Sequence, residues 1–485
     1  MNNRYKIIVG LLILLSFNWA CTDEFLEKDP SDALPKDEVF QSVDNVVSAL
    51  VGTYDQLSTY TFDGLYTPIM SDVMGEDMMI NSVNNYGWFV AAHQLELLPS
   101  YHWIQDPWYS GYKIIYDANL IILNTKTVPN ISDEDVDWIV GEAKVIRAYV
   151  MLKMAQLYSP AYSQNSDAPS IMNVNVETGK DSEDYPRASL LEVYKQIESD
   201  LLAAIDALPM DENEDDTYSK DRRFFSGRAA HAIIARMYLD MEEWEKARDY
   251  AVLAHDLMYL MTANDWYSGF MTRNSETIFS IGFTQEDNFT YLTIPSFYWP
   301  WAGYSSIRAN DNFVDLFGAG DIRGNAPLID VESSYPAEIP GGSDKFVVLK
   351  FGHNYQVGNA ERISIRASEM VLIEAECEAR LSNYTEAREA LHRIQNRANA
   401  VTRTNTGDAL ISEILLERRK ELYGEGFRLN DIKRTNQPLV REGDHWTNID
   451  FQPGDENYYK LTWPIPQYEI DANTMINAED QNPGY

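Results

Sequence analysis

Apolar residues recur every three or four positions over much of the chain, a spacing that predicts amphipathic helices and a mainly helical protein. In one long segment Ile139, Ala143 and Ile146 share a face, and Asp133 is placed to cap the start of the helix. The spacing is lost between residues 60 and 107, where we expect irregular chain with short helical turns. The predicted helices cover residues 43–58, 108–125, 133–158, 189–208, 368–381 and 410–423.

Part of the helical pattern occurs twice, which indicates a repeated structural unit. Each copy places small residues at fixed offsets from an aromatic residue, so that two helices can pack closely, as in a tetratricopeptide hairpin. The first copy contains Ala235, Trp244, Ala247, Arg248, Ala251 and Ala254, and the second, 140 positions later, contains Ala375, Tyr384, Ala387, Arg388, Leu391 and Ile394. The copies are not tandem, so the fold has to bring them together across a long insertion. Residues 143–208 are a candidate third pair.

The helical spacing vanishes between the two copies, over residues 262–365. Short alternating runs at Thr277–Phe283 and Phe346–Phe351 predict small strands. A long loop region inside a helical body is typically functional or disordered, and the dense aromatic residues here argue against disorder. We therefore predict one domain over residues 43–485, with a helical repeat body at about 43–260 and 366–435, an irregular, partly β region at about 262–365 and a loop-rich C-terminal segment at 436–485.

Residues 1–20 have the pattern of a secretory signal peptide. Arg4 and Lys6 precede an apolar run, Ile7–Phe17, that is about half the ~20 residues a membrane-spanning helix needs. Ala20 and Cys21 then resemble a bacterial lipobox, although Asn18 stands where such motifs usually carry Leu. We expect Cys21 to be lipidated and residues 21–42 to form a tether. The alternative is ordinary secretion with a free Cys21.

The charge balance excludes one class of partner. The chain has 75 acidic and 39 basic residues, and its formal net charge is −36. A field of that sign repels nucleic acids, so nucleic-acid binding is not expected. The two cysteines are Cys21 and Cys377. If Cys21 carries lipid, no disulfide can form, and Cys377 lies on the apolar face of a predicted helix, where a core position is expected.

No catalytic motif stands out in the chain, and we predict neither enzyme activity nor a cofactor. With 75 carboxylates, chance alone brings some into pairs, so a pair is no sign of a glycosidase. The densest charged block runs from Glu417 to Arg434, and its spacing of three and four residues is that of ion pairs on helices. The acidic run at 211–216 is expected to be a solvated loop, although a calcium site there is conceivable; no metal site is predicted.

Four motifs in order resemble the SusD/RagB family of outer-membrane nutrient-binding lipoproteins, and the resemblance spans the whole chain after the signal. Trp108, Tyr112 and Asn119 also fit the family, and the imperfect lipobox is the one departure. The motifs are Cys21–Pro30, the helix Arg228–Leu239, Glu417–Arg428 with Asp431 and Arg434, and Trp463–Pro466 through Asn482–Tyr485.

The resemblance implies a fold and a function. The fold would be a scaffold of tetratricopeptide-like helical hairpins with an irregular, partly β, ligand-binding half. The function would be to capture oligosaccharide at the cell surface as the lid of a SusC-type TonB-dependent transporter, with the lipid anchor in the outer membrane. The alternatives are a peptide-binding lid of the RagB type, a surface glycoside hydrolase and a scaffold without a small ligand.

A protein that binds sugar without chemistry needs flat aromatic rings for the sugar faces and a few polar donors for the hydroxyl groups. Two loop regions supply such residues outside the helical faces. Trp88 with Trp299 or Trp301 is the predicted platform, because one ring comes from each region and ligand sites form where loops converge. The predicted ligand-binding residues are Asn84, Tyr86, Trp88, Tyr291, Tyr298, Trp299, Trp301, Tyr304 and Arg308.

Overall fold

The fold is described from a computed structural model. The predictions for the signal peptide, Cys21 and the acidic run at 211–216 lie outside the described residues. The structure describes residues 36–82, 85–174, 184–210, 222–267, 270–282, 289–299, 303–324, 329–331, 346–351 and 360–485.

Helices dominate the described chain, which confirms the predicted fold class. In the first half of the chain they are α1 (Lys36–Val39), α2 (Val43–Ser58), α3 (Tyr66–Val73), α4 (Val90–His93), α5 (His102–Asn124), α6 (Asp133–Tyr158), α7 (Leu190–Ala207) and α8 (Gly227–Asp240). In the second half they are α9 (Trp244–His255), α10 (Ala263–Tyr267), α11 (Ile294–Tyr298), α12 (Asp311–Val314), α13 (Ala367–Arg380), α14 (Tyr384–Ala398), α15 (Gly407–Glu421), α16 (Arg428–Arg434) and α17 (Gln467–Ala472).

The two copies of the internal repeat are helical hairpins that pack against each other. The first copy is α8 with α9 and the second is α13 with α14. Helix α9 packs directly on α13, so the fold closes the long gap in sequence as the repeat required. Ala247 and Ala387 occupy equivalent positions and are both fully buried, which is the close approach that small residues permit. Helices α6 and α7 form the third pair.

Helix boundaries follow local capping rather than the hydrophobic pattern alone. Ser132, not Asp133, caps α6, because its hydroxyl accepts a hydrogen bond from the Asp135 N–H at 3.1 Å. Ser189 caps α7 in a capping box with Glu192. Helices α6 and α7 themselves span the predicted segments.

Helix α5 begins at His102, six residues before the predicted start at Trp108. Pro107 lies inside it and removes the hydrogen bond that its N–H would have made to the Trp103 carbonyl. Trp103, Ile104 and Trp108 are buried around this position, and their packing maintains the helix through the proline. Helix α3 was not assigned from the sequence, because its 8 residues are fewer than the roughly 11–18 over which a helical period is recognised.

The described strands form two-stranded antiparallel sheets that line the irregular half of the molecule. In the sheet that joins the two aromatic loop regions, Met78, Met79 and Ile80 pair with Ala309, Arg308 and Ile307. The strands are β1 (Met78–Ile80), β2 (Pro169–Met172), β3 (Arg187–Ser189), β4 (Thr277–Ile281), β5 (Ile307–Ala309), β6 (Ile329–Val331), β7 (Phe346–Val348), β8 (Arg362–Arg366), β9 (Leu439–Arg441) and β10 (Ile449–Phe451). The pairs are β1–β5, β2–β3, β4–β8, β6–β7 and β9–β10.

The core is apolar and carries Cys377, which is fully buried as predicted. Burial raises the pKa of its thiol well above the usual value. None of the helices in the described ranges has the length and apolar character needed to cross a lipid bilayer.

Candidate functional site

Aromatic side chains from two distant segments meet at one surface. Tyr86 and Trp88 follow β1, while Tyr291 and Tyr304 lie on either side of α11. Ring centroids of Tyr86 and Trp88 are 5.7 and 5.3 Å from that of Tyr304, and the centroid of Tyr291 is 6.4 Å from it. We call these four residues the four-ring cluster. Their convergence is the arrangement expected of loops that build a ligand site.

A second aromatic layer supports the four-ring cluster from inside. Phe297 on α11 is buried and lies nearly parallel to Tyr304, with centroids 4.8 Å apart and an angle of 19° between the rings. Trp88 lies between this layer and the surface, 5.5 Å from Phe297 and 5.2 Å from Trp103. The contact with the buried rings fixes Trp88 and Tyr304 before any ligand arrives.

The outer faces of the four-ring cluster are accessible. The Tyr86 side chain is 68% exposed and that of Tyr291 is 55% exposed, while Trp88 and Tyr304 are partly buried. Single exposed rings are common at protein surfaces, but a contiguous group of accessible rings marks a binding site. The cluster therefore presents apolar, flat surface at its edge and rigid rings at its centre.

The backbone around the cluster is strained. Tyr86, Phe89, Thr290 and Ser305 are non-glycine residues with positive φ angles of 55°, 56°, 53° and 48°. Such conformations cost free energy and persist where the surrounding structure enforces them, commonly at functional sites. Here they turn the chain so that the rings of both loops face the same side.

Gly303 is required by the same geometry. Its φ is 132°, and a Cβ at this position would lie 2.4 Å from the Ser296 hydroxyl oxygen and 2.5 Å from Cδ1 of Tyr291. The Tyr291 ring therefore rests directly on the backbone of the opposite loop segment. A side chain at residue 303 would displace that ring.

Hydrogen bonds from Asn81 to main-chain carbonyls join the two loops. The Asn81 N–H donates to the Ser306 carbonyl at 2.8 Å, and the Asn81 side-chain amide donates to the Ser305 carbonyl at 3.2 Å. The Asn85 amide donates to the Asn81 carbonyl at 2.7 Å and closes the turn that carries Tyr86. The loops thus continue the β1–β5 ladder beyond its last pair, Ile80 and Ile307.

Three of the residues predicted from sequence lie away from the cluster. Tyr298 is fully buried against Phe351, 5.2 Å between centroids, and burial raises the pKa of its hydroxyl well above the usual value. Trp299 packs on Val347 and Leu349 instead of Trp88, because the chain turns after α11 and directs it toward β7. Arg308 is buried on β5, where its guanidinium donates to the Ile307 carbonyl at 2.9 Å.

Asn84 and Trp301 lie outside the described residues. Sequence reasoning did not find Gly303 or the buried ring of Phe297, because neither a glycine in a loop nor a phenylalanine in a short helix differs from its neighbours in pattern. The Gly-Tyr pair at 303 and 304 was the available signal.

The charged block at Glu417–Arg434 is a buried ion-pair network. Arg366 contacts Glu276 at 2.9 Å and both Glu421 and Glu425 at 2.8 Å, and the Arg366 side chain is 1% exposed. Burial alone would raise the pKa of Glu421, but Arg397, Arg366 and Arg323 hold it below the usual value.

The same network binds the second helical hairpin to the block. Arg434 pairs with Glu376 of α13 at 2.8 Å and with Asp431 at 2.7 Å. The role of the ion-pair network is therefore to hold the helix junction together, as the sequence spacing indicated. Across the described ranges, no group of three or more His, Cys, Asp or Glu side chains is arranged to hold a metal ion.

Comparisons with known proteins cover both halves of the chain. The model of a family described as "Starch-binding associating with outer membrane" matches residues 24–239, and the model of the SusD family matches residues 272–485. SusD-like protein P25 of Formosa agariphila is 23% identical over 541 residues, and the match covers 98% of this chain and 98% of the relative.

Solved structures share the fold over nearly the whole length. A SusD-like carbohydrate binding protein from Bacteroides vulgatus has a TM-score of 0.78 at 25% identity, covering 91% of this chain and 98% of that one. Surface glycan-binding protein A from Bacteroides thetaiotaomicron has a TM-score of 0.71 at 19% identity, covering 92% and 100%. With one family model on each half and a common fold, the chain belongs to the SusD family.

Proposed function

We propose that this chain binds oligosaccharide at the cell surface through the four-ring cluster and passes it to a SusC-type TonB-dependent transporter. The observation that carries the proposal is the convergence of two loops that place four aromatic rings on one preorganised, accessible surface. Sugars present C–H groups on their faces, which pack on aromatic rings, and tyrosine hydroxyls supply polar contacts at the edges.

The family supports a binding function. Its members are binding proteins, and one of the two matching family models is described as starch-binding and outer-membrane associated. Hydrolysis is not part of the proposal. The densest carboxylates, Glu417, Glu421 and Glu425, are buried and paired with guanidinium or ammonium groups.

The test is a glycan and peptide binding screen of the purified full-length protein, followed by titration calorimetry of two variants with the best ligand. Trp88→Ala and Tyr304→Ala should each weaken binding by about 1–3 kcal/mol, with base–aromatic stacking as the calibrated analogue. Each variant is first checked for an unchanged melting temperature, because both rings also contact Phe297.

Two control variants sharpen this result. Tyr259→Ala removes a tyrosine that is 80% exposed outside the four-ring cluster and should leave affinity unchanged. Trp299→Ala decides between the platform predicted from sequence and the cluster. If Trp299→Ala weakens binding while Trp88→Ala and Tyr304→Ala do not, the site lies elsewhere. Selection of peptides and no glycan by the screen would replace the sugar with a peptide ligand.

The transporter partnership rests on family membership. A C-terminal tag and mild-detergent purification should recover a large SusC-type barrel together with this chain. Repeated recovery of this chain alone, with and without cross-linking, would contradict the partnership. That result would not contradict the proposed ligand-binding site.

A further inference from the structure

Trp446 is the most exposed tryptophan in the described part of the protein, at 37% exposure. It lies in the hairpin between β9 and β10, more than a hundred residues from both loops of the four-ring cluster. A tryptophan ring is large enough to form a stacking surface by itself, so its neighbours decide whether it can act as one.

The hairpin is anchored along the whole β1–β5 sheet. At the Met78–Ala309 end, the Asp444 carboxylate accepts a hydrogen bond from the Asn310 amide at 2.6 Å, and His445 Nε2 donates to the Glu76 carbonyl at 2.9 Å. At the opposite end, the Trp446 indole N–H donates to the Ile80 carbonyl at 2.8 Å. The loop therefore crosses the sheet and places Trp446 at the end from which the four-ring cluster extends.

One face of the Trp446 ring is already covered. The ring lies nearly parallel to that of His93, with centroids 5.3 Å apart and an angle of 15°. His93 stacks in turn on His445 at 5.5 Å. With one face stacked on His93 and the indole nitrogen bound, the ring is fixed in position while part of it stays exposed. That is the condition of a preorganised stacking surface.

The separation from the four-ring cluster is short. Ile80, which Trp446 contacts, pairs with Ile307, and Tyr304 is three residues before Ile307. Three residues of extended chain span at most ~11 Å. Trp446 is therefore linked to Tyr304 through three residues, one strand pair and one hydrogen bond, a path that an oligosaccharide of several sugar rings is long enough to follow.

We infer that Trp446 is a second stacking position of the site, and that the ligand is an oligosaccharide long enough to cover both Trp446 and the four-ring cluster. The inference rests on the proposed function and adds a requirement for ligand length. Short saccharides engage the cluster alone, while longer ones gain a second contact without any conformational change in the protein.

The experiment measures affinity against ligand length. Full-length wild type, Trp446→Ala, Trp446→Phe and Tyr304→Ala are titrated with neutral ladders, maltose to maltoheptaose and the corresponding cello- and xylo-oligosaccharides. Trp446→Ala should lower affinity for the longest bound members roughly 5- to 150-fold and leave the disaccharide unchanged. Trp446→Phe, which keeps a flat ring, should restore most of that loss. Tyr304→Ala should weaken binding at every length.

Several results would overturn the inference while the proposed function stands. One is that Trp446→Ala leaves the dependence of affinity on ligand length unchanged. Another is that Trp446→Ala lowers affinity equally at all lengths and also lowers the melting temperature, which would mean that Trp446 only stabilises the hairpin. Unchanged glycan affinity with weakened recovery of the barrel would make it a protein contact. If wild type binds none of the ladders and Tyr304→Ala has no effect on any screened glycan, the proposed function fails as well.

Discussion

Arg366 illustrates how single residues stabilise this fold. Its guanidinium is surrounded by three carboxylates, all of them buried. Removing charges from water costs several kcal/mol for each ion, and only well-placed partners compensate. The sequence spacing indicated that the block would form ion pairs. It did not indicate that Glu276, just before β4, and Arg366, at the end of β8, complete the network. Those partners are 90 residues apart and come together only in the folded chain.

Replacing Arg366 with methionine should reduce the free energy of unfolding by about 3–5 kcal/mol, because it leaves buried carboxylates without their shared cation. Urea unfolding measures the change. Lys113→Met is the matched control, since Lys113 forms an exposed ion pair with Asp117 at 3.1 Å, and such pairs contribute at most about 1 kcal/mol. A loss in Arg366→Met no larger than in the control would show that the carboxylates find other partners.

The His93–His445 pair should make stability depend on pH. Burial, together with the nearby Arg441 charge, lowers the pKa of His445 to about 4 from the ordinary histidine value of ~6.5. The native state therefore keeps His445 neutral where the unfolded chain takes up a proton. The free energy of unfolding is therefore not reduced by His445 above pH ~6.5, and it falls by about 3 kcal/mol as the pH drops toward 4.

Carboxylates such as Glu421 also lose stability at low pH, so the histidine contribution has to be isolated. Unfolding free energies of wild type and His445→Gln are compared between pH 4 and 7. The glutamine keeps a donor toward the Glu76 carbonyl and has no proton to gain. We expect a shallower decline in the variant. Parallel curves would mean that His445 titrates normally in the folded protein.

At the scale of elements, the spacing of apolar residues located most of the long helices. Helices α7 and α14 each bury one stripe, while α6 and α13 are buried on most sides over part of their length. The pairing of these helices followed from the sequence, as did the spans of α6, α7 and α13. Helix α3 is too short to show a helical period, and the start of α5 contains a proline, so neither was assigned from the sequence. The two loops of the candidate site were located by their aromatic residues. Which of those rings face outward depends on backbone turns at Tyr86, Gly303 and Ser305, and no sequence period encodes them.

The equivalence of the two hairpins can be tested at Ala247 and Ala387. Both are fully buried where the helices approach each other. Substitution by leucine at either position adds volume to a packed contact and should cost about 1–3 kcal/mol in unfolding free energy. Glu245→Leu, on the exposed face of α9, should change stability by less than about 0.5 kcal/mol. A tolerated leucine at one position and not the other would show that the hairpins pack differently.

At the scale of the whole molecule, a regular helical half and an irregular half that carries the rings share one apolar core. The ion network at Glu417–Arg434 lies between them, since Arg434 contacts α13 while Lys350, next to β7, contacts Glu425 at 2.6 Å. The charge of −36 surrounds both halves. Fields of this kind disfavour polyanionic ligands at low ionic strength, so the proposed sugars are neutral.

The location of the molecule depends on Cys21 in our proposal. Acylation there would hold the chain at the outer membrane, and replacement by alanine should release it to the soluble fraction. Cell fractionation with immunodetection measures the distribution, and Cys377→Ala is the control cysteine variant. Retention of Cys21→Ala in the membrane as firm as that of wild type would rule out the lipid anchor.

The hydrogen bonds between Asn81 and the Ser305–Ser306 carbonyls have a consequence for evolution. Asn81 joins the loops through its main-chain N–H and its side-chain amide, and neither of these bonds uses the side chains at positions 86, 88, 291 and 304. Relatives can therefore exchange rings for other residues, and with them the nutrient they recognise, without rebuilding the scaffold. A library randomised at these four positions should yield many folded variants with unlike ligand preferences, whereas one randomised at 81 and 303 should yield few that fold.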